Sequence, residues 1–103
     1  MREPHNHARG EVLLGIDGRG RRLCVTLGVL AELEAAFDVG ALSELGERLA
    51  QLTASDLIIV ISALTAGGGE PMSNAEIAAA RIDPKAAAAA VAEAFRIAFA
   101  DEA

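Results

Sequence analysis

Residues 6–37, NHARGEVLLGIDGRGRRLCVTLGVLAELEAAF, decide the fold. The stretch opens with the composition of a β-hairpin and closes with the spacing of a helix. EVLLGID (11–17) and RRLCVTL (21–27) are rich in aliphatic and β-branched residues, and Asp17-Gly18 and Gly20 between them are turn signals. In the second run Leu23, Val25 and Leu27 alternate with Arg22, Cys24 and Thr26, the period of a strand with one buried face. The period then changes. Leu27, Leu30, Leu33 and Phe37 recur every three or four residues, which predicts an amphipathic helix over 27–37 with Thr26 as its cap. Asp38-Val39-Gly40 ends it, with Gly40 suited to a left-handed conformation.

The rest of the chain reads as helix. ALSELGERLAQL (41–52) places Leu42, Leu45, Leu49 and Leu52 at helical spacing, although Gly46 costs it about 1 kcal/mol against alanine. Thr53 and Asp56 have the spacing of a capping box in front of DLIIVISALTAG, a segment apolar around most of its circumference and so the candidate centre of the core. The β-branched run IIVI also suits a buried strand; the cap before it and the Ala-Leu-Thr-Ala tail favour helix. Gly67-Gly68-Gly69-Glu70-Pro71 reads as a flexible turn and helix stop, and it lacks the Gly-Lys-Ser/Thr ending of a phosphate loop. Ser73 and Glu76 form a second capping box opening a short helix to about Arg81. Asp83-Pro84 starts the last helix, in which Val91, Phe95 and Phe99 share one face.

These elements give an α+β, mostly α fold: an N-terminal β-hairpin followed by four or five helices packed as a small bundle. A polar arm (1–10) leads into a single domain (11–103), with the hairpin over 11–27 and the helices over 27–100. The chain has 103 residues, 52% of them apolar but only 3% aromatic, so the core is expected to be Leu, Ile, Val and Ala. A lone hairpin is marginal in water and must pack on the helices or pair with another chain.

Several functions are disfavoured by residue content. A net charge of −6 argues against nucleic acid and anionic membrane as partners. Arg19, Arg21 and Arg22 form the one basic cluster, in the expected turn. The single cysteine, Cys24, excludes an intrachain disulfide and sits in an apolar run, where a thiol behaves as a small hydrophobe. Its environment offers no activating base, since His5 and His7 lie in the polar arm. No metal-ligand spacing, catalytic triad or dinucleotide fingerprint is visible, so no enzyme, metal or cofactor is expected. The opening residues MREPHNHARG carry no apolar run of the signal-peptide kind, and the longest apolar run, LIIVISAL, is too short to span a bilayer. A soluble cytoplasmic protein is the expectation.

The order of features is distinctive: Arg9-Gly10-Glu11 leading the first strand, Thr26-Leu27-Gly28 with Leu30-Ala31-Glu32-Leu33-Glu34, Gly67-Gly68-Gly69-Glu70, then Ser73-Asn74-Ala75-Glu76-Ile77 and the Ala-rich terminal helix. From Asn6 to about Phe99 the chain resembles the small proteins of gene transfer agent and siphophage-like tail gene clusters, labelled tail tube protein or tail assembly chaperone. The tube label implies a many-stranded sandwich, whereas two strands are legible here. The chaperone label implies binding to the tape-measure protein and the tail tube protein, and absence from the finished particle. An acidic helical protein with Leu- and Ala-lined faces suits an amphipathic helix bound in a groove. The alternatives are a minor tail or tube component retained in the particle, and a small acidic protein-binding regulator.

Candidate contact residues are Leu30, Leu33 and Phe37 on the first helix and Val91, Phe95 and Phe99 on the last, although either stripe also reads as core. The hairpin edge, with Arg9 and Glu11, is the candidate for self-association into a homo-oligomer.

Overall fold

The turn that starts the fold is Asp17-Gly18. In the computed structural model, which describes residues 10–100, these two residues have φ of 54° and 80°. Positive φ at both central positions marks the hairpin turn that matches the twist of its strands. It joins β1 (Glu11–Ile16) to β2 (Arg19–Cys24), antiparallel and in register from Ile16 opposite Arg19 to Glu11 opposite Cys24. Five helices follow: α1 (Leu27–Phe37), α2 (Leu42–Leu49), α3 (Ala54–Gly67), α4 (Asn74–Ala79) and α5 (Pro84–Ala98). The architecture is the expected hairpin followed by a small, mostly helical bundle.

The caps explain where the helices begin. The Thr26 hydroxyl accepts from Val29 N at 3.1 Å, and the Asp83 carboxylate accepts from Ala86 N at 3.1 Å ahead of Pro84. Thr53/Asp56 and Ser73/Glu76 both form complete capping boxes. Each cap supplies an acceptor to an otherwise orphan N–H of the first turn.

Three boundaries differ from the sequence reading. The second strand runs 19–24, because Thr26 is already extended as the cap of α1. The alternation expected at Leu23, Val25 and Leu27 therefore stops after Leu23, and Leu27, the first residue of α1, is 82% exposed. β2 also starts earlier, at Arg19, so the turn is Asp17-Gly18 alone and Gly20 and all three arginines lie in the strand. At the end of α1 the left-handed residue is Asp38 (φ 56°), one of the few residue types whose short polar side chain tolerates that conformation. Finally, α4 stops at Ala79, where Ala80 becomes extended.

The core lies between the hairpin and the helices. Val12, Leu14 and Ile16 of β1 and Leu23 of β2 point inward, onto Val29, Leu30 and Leu33 of α1, Val60, Ile61 and Leu64 of α3 and Ala87, Val91 and Ala94 of α5. α3 is the central element, packed against β2, α1, α4 and α5. Its C-terminal glycines make that position possible. A Cβ on Gly67 would lie 2.0 Å from the Cys24 carbonyl oxygen, and one on Gly68 2.0 Å from that of Arg22. Gly67-Gly68 is thus a close-approach surface for the β2 backbone as well as a helix stop.

Buried polar groups on α3 are satisfied. The Thr65 hydroxyl donates to Ser62 O at 2.6 Å and accepts from Met72 N at 2.9 Å, while the Ser62 hydroxyl donates to Met72 O at 2.7 Å. The segment after the glycines is thereby fixed to the helix it leaves.

Candidate functional site

An apolar depression lies between α2 and α5. α2 packs on α1, and its end is fastened to the start of α3 by Arg48, which donates two hydrogen bonds to the Asp56 carboxylate (2.7 and 2.9 Å). The Arg48 guanidinium also sits 4.8 Å from the centre of the Phe37 ring, a cation–π distance. This fastening leaves an open apolar depression of about 280 Å³, lined by Leu49 and Leu52 on one wall, Leu57 on the floor, and Ala88, Val91, Ala92 and Phe95 on the other wall. Leu57 also lines a second depression of about 210 Å³, toward Ile58, Ile82 and Ala87. The α2–α5 depression is an apolar trough beside α5.

Phe99 lies one helical turn beyond Phe95, at the end of α5. It is 53% exposed and stacks on Phe95, with ring centroids 6.3 Å apart and planes inclined by 11°. Ala88 and Ala92, one helical turn apart, are exposed and small, so a partner backbone can approach α5 closely there. A third depression, of about 320 Å³, opens between α1 and α3 with Leu33, Ala36, Ile59 and Met72 in its walls and Glu32 at its rim.

The candidate contact residues divide accordingly. Leu30, Leu33, Val91 and Phe95 are core side chains, with Val91 and Phe95 also presenting an edge to the trough. Phe37 is half-buried beneath Arg48, and Phe99 is open to solvent. Glu11 opens β1 opposite Cys24, whereas Arg9 lies outside the described residues. Sequence reasoning did not single out Leu49, Leu52, Leu57, Ala88 and Ala92 as a shared surface. They come from three helices and the α2–α3 connection, and no pattern within one helix joins them.

Electrostatics offer little to catalysis. Burial, and then the Glu11 carboxylate, push the Cys24 thiol up from its ordinary value, which disfavours the thiolate. Arg48, followed by the Thr53 backbone, holds the Asp56 carboxyl down at about 2. Among the described residues no group of three or more His, Cys, Asp or Glu is placed to hold a metal ion. No helix of those residues is long and apolar enough to cross a membrane.

The described residues thus form a small helical bundle with a two-stranded sheet and shallow apolar depressions. The chain belongs to the family described as phage tail tube protein, GTA-gp10, whose model matches residues 9–101. No curated protein and no solved structure matches it.

Proposed function

We propose that this tail-cluster protein acts as a tail assembly chaperone. In this reading it holds an amphipathic segment of the tape-measure protein in the α2–α5 trough, presents it to the tail tube protein, and leaves before the particle is complete. It works in the cytoplasm of the producing bacterial cell. The observation that carries the reading is the trough itself: an apolar depression lined by Leu57, Val91 and Phe95, edged by the small exposed Ala88 and Ala92, with the exposed Phe99 one turn further along. Grooves of this kind take helices whose apolar residues recur at three- and four-residue spacing. The two-stranded sheet counts in the same direction, because a tube wall joins larger sheets around a ring. The chain's negative charge helps keep such a complex in solution.

Co-expression of the full chain with the tape-measure protein of the same gene cluster, followed by co-purification, tests this. Wild type is expected to retain the tape-measure protein, and Phe99→Asp and Ala92→Glu to lose it while keeping the wild-type circular dichroism spectrum. Retention by both variants would overturn the assignment of the trough.

A further inference from the structure

The segment that forms one wall of the trough is hydrogen-bonded to the rest of the molecule through a single side chain. Val39 N donates to Glu34 O at 3.0 Å and so stays with α1, whereas Gly40 N donates to the Glu44 carboxylate at 2.7 Å and so goes with α2. At the other end Ala50 N and Gln51 N donate back to Glu47 O and Arg48 O, whereas Thr53 N donates to the Asp56 carboxylate of α3. Residues 40–51 thus close their hydrogen bonds on themselves. Among the described residues, the two bonds from Arg48 to Asp56 are the only ones that leave the segment.

Packing holds the segment no more widely. Leu45 is the one fully buried side chain of α2, and α1 is its main packing partner, whereas α3 packs on β2, α1, α4 and α5. The trough separates Leu49 and Leu52 from Val91 and Phe95, so the segment stands off α5 along that flank. Local support is thin as well. Ala41 gives α2 no side-chain cap, while Thr26, Thr53, Ser73 and Asp83 cap the other four helices. Gly46 weakens the interior of α2 further.

We propose that residues 40–51 form a flap, latched by Arg48, that swings as a unit to widen or narrow the trough. Its joints are the Val39–Gly40 link and Leu52. Gly40 has no Cβ to restrict it, and Leu52 takes part in no hydrogen bond between described residues. The latch reaches both neighbours, because the Arg48 guanidinium holds Asp56 on α3 and lies 4.8 Å from the centre of the Phe37 ring on α1. When it lets go, Asp56 still caps α3 with Thr53, so the rest of the fold keeps its own bonds. The flap therefore opens inside the folded state, without α3. This inference rests on the bonding and packing of the segment and not on the chaperone reading.

Amide hydrogen exchange of the full chain, resolved by residue in increasing sub-denaturing urea, tests it. Protection factors over 45–51 are expected to be at least tenfold lower than those over 60–64 and to depend little on urea, the mark of a local opening. Two variants separate the flap from global unfolding. Asp17→Ala, which loosens the hairpin tip, is expected to lower protection of α3 roughly tenfold and leave that of 45–51 unchanged. Arg48→Met is expected to lower protection of 45–51 roughly tenfold. Protection and urea dependence over 45–51 that match those of α3 would overturn the proposal. So would equal loss in both segments with Asp17→Ala, or no change over 45–51 with Arg48→Met.

Discussion

Asp17 and Arg81, 64 positions apart, exchange two hydrogen bonds: Asp17 N donates to Arg81 O at 2.9 Å, and Arg81 N donates to the Asp17 carboxylate at 2.7 Å. Asp17 is also a turn residue at φ 54°. One side chain thus shapes the hairpin tip and ties it to the α4–α5 connection. Asp17→Ala should lower stability by about 1–2 kcal/mol, through loss of the acceptor and strain in the left-handed region. Asp17→Asn keeps both features and should be nearly neutral. Urea unfolding of the two variants separates these outcomes.

The glycines of α3 give a steeper contrast. Gly67→Ala or Gly68→Ala drives a Cβ onto a strand carbonyl, so α3 must part from β2, at a cost of about 3 kcal/mol or more. Gly46→Ala, in the interior of α2 with nothing within 4 Å of the new methyl, should stabilise by about 0.5–1 kcal/mol. Thermal unfolding midpoints that move in opposite directions for the two sites would bear this out.

Asp56 confers a pH dependence of definite sign. Its folded pKa, about 2, lies below the ordinary aspartate value of about 3.9, so its contribution to stability is present above that ordinary value. The contribution is lost as pH falls through about 2. Unfolding midpoints taken from pH 7 down to pH 2 should therefore converge for wild type and Asp56→Asn at the acid end, with wild type the more stable at neutral pH.

Core and surface members of the two aromatic and aliphatic stripes should behave differently. Leu33→Ala, at a side chain with no exposed surface, is expected to cost 2–5 kcal/mol, about the range for deleting a buried leucine side chain. Phe99→Ala should cost far less, because that ring is more than half exposed, while still weakening capture of the tape-measure protein. Chemical denaturation and co-purification, run side by side, distinguish the two roles.

Much of this fold is local and therefore legible in the sequence. The Asp17-Gly18 turn, the Thr26, Thr53, Ser73 and Asp83 caps and the change of period after Thr26 each depend on residues within one turn of one another. Features settled by distant contacts were not legible. The Gly run reads as a break until β2 is laid against it, and Gly40 outranks Asp38 as a left-handed residue on intrinsic preference alone. The site shows the same limit. The face shared by Val91, Phe95 and Phe99 follows from helical spacing, but which of the three stays open depends on where α2 and α3 pack. The α2 wall of the trough is held both by packing on α1 and by the Arg48–Asp56 hydrogen bonds, neither of which a single helix's spacing reveals.

The central claim is that this tail-cluster protein assists assembly without becoming part of the product. Quantitative mass spectrometry of purified tailed particles, set beside the lysate of the producing cells, tests it most directly. The account predicts a protein abundant in the lysate and missing from the particles. Its presence in particles at a fixed ratio to the tube protein would contradict the account and make it a structural component.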